Sequence, residues 1–166
     1  IKLLKDNLNK SMEGDQESRV KIYKAANLSG QAINITKTTA AHAISYALSS
    51  RFNLQHGHSV ALTLGKFFKF NMPDIHKKTI DPRGEKYLKR TMKALYKIMG
   101  YKNYKGCENY WYKNLKNCNL NTSFKKIGIT KTSNINYLVK EVDLHRLKNN
   151  PINVSLDNLK NLLSKP

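Results

Sequence analysis

Residues 35–68 read ITKTTAAHAISYALSSRFNLQHGHSVALTLGKFF, and no other stretch of the chain constrains the fold as much. An alanine- and serine-rich apolar run carries His42, is interrupted near Asn53, and resumes at His56-Gly57 with Val60, Leu64, Phe67 and Phe68 at helical spacing. The pattern predicts one helix over 38–52 and a second from His56, the two forming a helical hairpin. Two histidines on helices of an apolar bundle can supply half of a metal site. Imidazole is the commonest protein ligand for a borderline divalent ion, which takes three or four protein donors. Spacing alone leaves the pair open. A straight helix rises about 1.5 Å per residue and carries the chain roughly 15 Å beyond His42 before it turns, whereas ligand atoms must lie about 2.0 to 2.2 Å from one ion. Buried histidines held only by hydrogen bonds are the other reading.

The rest of the chain follows the same period. Leu4 and Leu8 lie one turn apart with Leu3 beside them, Gly14 breaks the run, and Asp15 is placed to cap a second helix that passes Ala25 and is ended or loosened at Gly30. Asp81-Pro82 reads as a helix start, a capping side chain followed by proline at the first helical position. Leu88, Met92, Leu95, Tyr96 and Met99 then form an apolar stripe that ends at Gly100 and reads as core. Further helices are predicted over 108–115, 134–147 and 155–164, with Pro151 separating the last two and Ser155 capping the final one. No segment alternates convincingly as a strand, and there is no repeat, low-complexity linker or phosphate-binding glycine loop. The expected architecture is a single all-α helical bundle over 1–166.

Composition limits the partners. The chain has 166 residues, 40% of them hydrophobic, which is enough for one cored domain. Lys and Arg number 30 against 11 Asp and Glu, a net charge of +19, which raises the case for a polyanionic partner. The lysines are scattered rather than gathered and accompany no recognition motif, which argues against nucleic acid. Cys107 and Cys118 lack CxxC spacing and read as reduced thiols of an intracellular chain. No run reaches the roughly 20 apolar residues of a membrane span, and the opening IKLLKDNLNK is too charged for a signal peptide. The expectation is a cytoplasmic protein that touches no membrane. Because it starts at Ile1 in what reads as mid-helix, it is expected to be a fragment of a longer protein.

The histidine context AHAISYALSS followed fourteen positions later by QHGHSVAL resembles the C-terminal helical domain of the iron-containing (group III) alcohol dehydrogenases. DPRGEKYLKRTMKALYKIMG and VDLHRLKNNPINVSLDNLKNLL are similar to the closing helices of that family, in a branch linked to small aldehydes and phosphonate metabolism. The resemblance covers nearly the whole chain. It implies that His42 and His56 are metal ligands for a divalent ion, Fe2+ or Zn2+. It also implies an oxidoreductase that interconverts a small alcohol and aldehyde with NAD or NADP. An aspartate and a first histidine would come from an earlier D-x-x-x-H element, which does not precede His42 here. That element and the nucleotide-binding domain would lie upstream of Ile1, leaving this fragment inactive by itself. A homo-oligomer is compatible with the resemblance.

One departure from the family pattern is Tyr46, where many members carry a further histidine four residues after the first of these two ligands. Packing and a hydrogen bond to substrate are the two readings of it. His58 falls on a different side of its helix from His56 and would at best line the cleft. His76 and His145 stand among charges and read as surface residues. Lys37, Thr38 and Thr39 could hold an anionic substrate group at a helix N-terminus, although helix capping by the threonines is favoured. A dehydroquinate-synthase-like enzyme also has a second histidine followed by glycine, but an acidic residue is expected next and His58 stands there. The reading from a different class is a basic helical module that binds nucleic acid or protein without catalysis, with a steep salt dependence as its signature.

Overall fold

The computed structural model of the protein describes residues 1–73 and 78–164, and within them every regular element is helical. In chain order these are α1 (Lys2–Met12), α2 (Gln16–Ile35), α3 (Ala40–Phe52), α4 (His56–Phe70), α5 (Gly84–Ile98), α6 (Tyr104–Asn117), a 3-10 turn Lys125–Ile127, α7 (Thr132–Lys140), α8 (Leu144–Leu147) and α9 (Leu156–Ser164). The all-α expectation holds, and the sole β contact among the described residues is an isolated antiparallel bridge between Thr79 and Ile152.

α3 is the heart of the bundle. Ala40, Ala43, Ile44 and Leu48 have no accessible surface, and Ala41 and Ala47 almost none. Alanine is the strongest helix former and its methyl lets neighbours approach closely, so a helix of this composition suits burial on several sides. It packs against α4, α7 and α8. α4 packs on its other side against α6, where Trp111 Nε1 donates to the Ala61 carbonyl at 2.8 Å and the Tyr112 hydroxyl to the Leu62 carbonyl at 3.1 Å. Gly65 makes that contact possible, since a Cβ there would stand 2.6 Å from the Tyr112 ring. The Tyr96 hydroxyl, from α5, donates to the Phe68 carbonyl, and burial pushes its pKa up to about 12.

Several boundaries differ from expectation for local reasons. Gly30 neither ends nor loosens α2, which continues to Ile35; one glycine weakens a helix by about 1 kcal/mol without breaking it. α5 begins at Gly84, after the Asp81-Pro82 pair. The Asp81 carboxylate instead accepts from the Arg83 backbone N–H at 2.9 Å and from its guanidinium, closing a turn of its own. The helix predicted over 134–147 divides into α7 and α8. Asp143 causes the division, since its side chain accepts from the N–H groups of His145 and Arg146 and restarts the helix as a cap. Ser155 caps as expected, its hydroxyl accepting from Asn158 N at 3.1 Å.

The connection between α3 and α4 departs most from the sequence reading. α3 stops at Asn53 in the left-handed conformation, φ 50° and ψ 37°, which asparagine tolerates better than most residues. The short connector then carries the chain back along α3 rather than straight into an antiparallel return. His56 thus lies beside Ser45, and one turn later Ser59 lies beside Ser49, with hydroxyls 3.1 Å apart. Contacts that advance in the same sense along both helices describe helices that cross. An antiparallel arrangement of the expected helical hairpin would pair them in the opposite order.

Candidate metal centre

This doubling back brings the two histidines together. The rings of His42 and His56 have centroids 5.7 Å apart and are tilted by 59°. A straight continuation of α3 over the fourteen intervening positions would have held them about 21 Å apart. His42 is half-buried near the start of α3, and His56 is exposed at the start of α4. Burial lowers the pKa of His42, helped by the nearby His56 and then by Arg146. At neutral pH His42 is therefore the uncharged imidazole, the form that binds a metal ion.

Ser45 organises the second ring. Its hydroxyl donates to the His42 carbonyl at 2.8 Å, as expected for a serine one turn along a helix. It lies 3.4 Å from His56 Nδ1. With its single proton committed to the carbonyl, the oxygen can only accept from His56. In the Nδ1–H tautomer this contact is a hydrogen bond, and His56 Nε2 then carries the lone pair that a metal would need.

Tyr46 and Arg146 border the pair. The Tyr46 ring lies 5.5 Å from the His56 ring, and the Arg146 guanidinium lies over the Tyr46 ring, 4.7 Å from its centroid. Arg146 Nη1 also donates to the Tyr46 hydroxyl at 3.0 Å, across 100 residues of chain. The remaining candidates lie elsewhere. His58 Nε2 is 2.8 Å from the Asn121 carbonyl, so it ties α4 to a loop instead of lining the histidine site. His145 is exposed, as read, and His76 lies outside the described residues. Thr39 is the residue before α3, but its side chain makes no capping bond, contrary to the capping expected of the threonines. Lys37 and Thr39 border a separate cavity of about 510 Å³ with Arg83, Lys148 and Asn150.

The donor set fits part of a divalent-ion site. It offers two imidazoles side by side, one of them in contact with a neighbouring hydroxyl, and imidazole suits iron and zinc alike. Among the described residues, no group of three or more His, Cys, Asp or Glu side chains is gathered in one place. The pair thus amounts to two donors of the three or four required. Sequence reasoning singled out the two candidate histidines and Tyr46 but missed Ser45 and Arg146. Ser45 was detectable, because three residues after His42 is the same helical face; nothing local marks Arg146.

The family model of the Fe-containing alcohol dehydrogenases, C-terminal, matches residues 1–166, the whole chain. The chain belongs to that family. A phosphonoacetaldehyde reductase of Streptomyces viridochromogenes is 37% identical over 86 residues, covering 52% of this chain and 22% of that protein. Aldehyde-alcohol dehydrogenase 2 of Entamoeba histolytica is 34% identical over 71 residues, 43% of this chain and 8% of that protein. Among solved structures, sulfoacetaldehyde reductase from Bifidobacterium kashiwanohense in complex with NAD+ has a TM-score of 0.77 and 24% identity. That match covers 98% of this chain and 41% of the other, and it shows that the two share a fold. The chain therefore spans less than half the length of each of these proteins.

Proposed function

We propose that the chain is the metal-binding helical part of a nicotinamide-dependent reductase that interconverts a small aldehyde and its alcohol, with His42 and His56 as two of the metal ligands. The observation that carries the reading is the convergence of these two imidazoles, 5.7 Å apart, in a chain of this family. The names of the relatives support a small aldehyde bearing an acidic group as substrate and NAD as the hydride carrier. The remaining metal donors and the nucleotide-binding domain would belong to the additional length of the whole protein.

Fe2+ or Zn2+ bound there supplies Lewis acidity toward a carbonyl or carbinol oxygen, which favours hydride exchange with a nicotinamide. The chain's own residues prepare the place. Burial favours the unprotonated form of His42, Ser45 lies against His56 Nδ1, and α3, whose alanines have almost no accessible surface, provides a rigid mount for His42 and for the serine that contacts His56.

Chelation of the full-length protein tests the reading. Treatment with a strong chelator is expected to remove close to one metal per chain and abolish nicotinamide-dependent aldehyde reduction, with Fe2+ or Zn2+ restoring it. Undiminished activity in protein shown to be free of metal would refute the assignment. A second expectation concerns Ser45→Ala. Loss of an outer-shell partner lowers metal affinity by about 10- to 100-fold, and the length of this contact points to about tenfold. Competition against a calibrated metal indicator measures it, and unchanged affinity would remove Ser45 from the site.

A further inference from the structure

Arg146 is placed in a way that its local helix does not require. α8 is a four-residue helix, and the bond from Arg146 Nε to Asp143 Oδ2 at 3.1 Å already gives this side chain a partner three residues away. The guanidinium nevertheless reaches across to α3, where it both stacks on the Tyr46 ring and donates to the Tyr46 hydroxyl. Two anchors on different elements fix a long side chain that would otherwise sample many rotamers. Of the five N–H donors of arginine, these bonds engage two, and the other three have no partner among the described residues. The side chain is 45% accessible, so those donors reach solvent.

The cation ends a continuous row of rings. Tyr46 touches His56, His56 touches His42, and Arg146 is close enough for its charge to bear on His42. A substrate with its reacting oxygen at the histidine pair would meet this guanidinium with its other end. A planar fork of free N–H donors matches two oxygens of a tetrahedral oxyanion, a geometry a lysine ammonium does not reproduce. Asp143 offsets part of the charge and holds Nε, and Tyr46 takes one N–H of Nη1, so the binding edge is Nη2 with the second N–H of Nη1. The geometry points to Arg146, held by Tyr46, as the residue that selects aldehydes carrying a terminal phosphonate or sulfonate over neutral ones. This rests on the reductase reading above and names the substrate class of that same site.

The test uses the full-length enzyme and its Arg146→Met, Arg146→Lys and Tyr46→Phe forms, with the two-carbon phosphonate and sulfonate aldehydes compared against propanal. Arg146→Met is expected to lose about 100-fold in kcat/KM on the anionic aldehyde the wild type prefers, mostly through KM, while propanal changes less than about threefold. Lysine should restore part of the loss, and Tyr46→Phe should weaken binding by a smaller factor. Calorimetry of methylphosphonate and methanesulfonate on metal-free protein gives a readout independent of turnover. The wild type should bind the preferred anion at least tenfold more tightly than Arg146→Met, and the ranking of the two anions tells phosphonate from sulfonate. Equal losses on anionic and neutral aldehydes, or no loss on either, would overturn the assignment and leave the reductase reading standing. A wild type that binds an anion through Arg146 yet reduces no aldehyde would overturn the reductase reading, and with it the selection of aldehydes, leaving an anion site at Arg146.

Discussion

His42→Ala and His56→Ala, made separately in the full-length protein, are each expected to lose stoichiometric metal and to lower aldehyde reduction on the order of a thousandfold. The size follows from the role, since a metal that stabilises charge in the transition state supplies several kcal/mol, and a site already limited to three or four donors does not hold its ion well with one fewer. Folding should change little. His56 is exposed and His42 only half-buried, so neither truncation opens a large cavity. The measurement is metal content by elemental analysis beside the reductase assay, with thermal unfolding of the metal-free proteins as the control. Either variant retaining a full complement of metal and wild-type turnover would exclude that histidine as a ligand.

Leu48→Ala should destabilise the protein by about 2 to 5 kcal/mol without touching the site. Leu48 has no accessible surface and lies midway along the helix on which the core is built. Alanine favours a helix at least as well as leucine, so the loss would come from the cavity and not from helix propensity. The urea unfolding midpoint of the full-length protein reads the effect, and metal bound per folded molecule should stay at the wild-type level. A shift below about 1 kcal/mol would mean that the surroundings collapse onto the gap, and that α3 is less central than its burial indicates.

These two predictions separate what kind of information the histidines and the buried face of α3 carry. The helix itself was legible, because a run rich in alanine, serine and aliphatic residues ending at Asn53 has the right period and a residue suited to a left-handed stop. The apolar stripe on α5 was equally legible, and Leu88, Met92, Tyr96 and Met99 are buried as read. Errors gathered where a short polar side chain has two uses. Asp81 closes a turn instead of capping α5, and Asp143 begins a new helix inside a segment whose apolar period continues. Periodicity reports which face is buried and is blind to such local competition for backbone N–H groups.

The functional residues divide in the same way. Residue type and context identified His42 and His56 as candidates, and an i, i+3 relation would have led from His42 to Ser45. Tyr46 was visible as a departure from the family pattern, with its role left between packing and hydrogen bonding. Its observed partner, Arg146, lies 100 residues away and is joined to it by tertiary contact alone.

By itself, then, the sequence determined an all-α chain, its family, the helix that forms the core and the two imidazoles worth asking about. Those follow from near-neighbour spacing and side-chain chemistry, which act within a few residues of chain. Only the tertiary structure decided that α4 starts beside the first half of α3, that Ser45 faces His56 Nδ1, and that a guanidinium from α8 stands next to Tyr46. The physical reason is that a non-helical connector between Phe52 and His56 can leave a helix in many directions. The direction taken is selected by the burial of α3 against α4, α7 and α8 together, which no local pattern encodes.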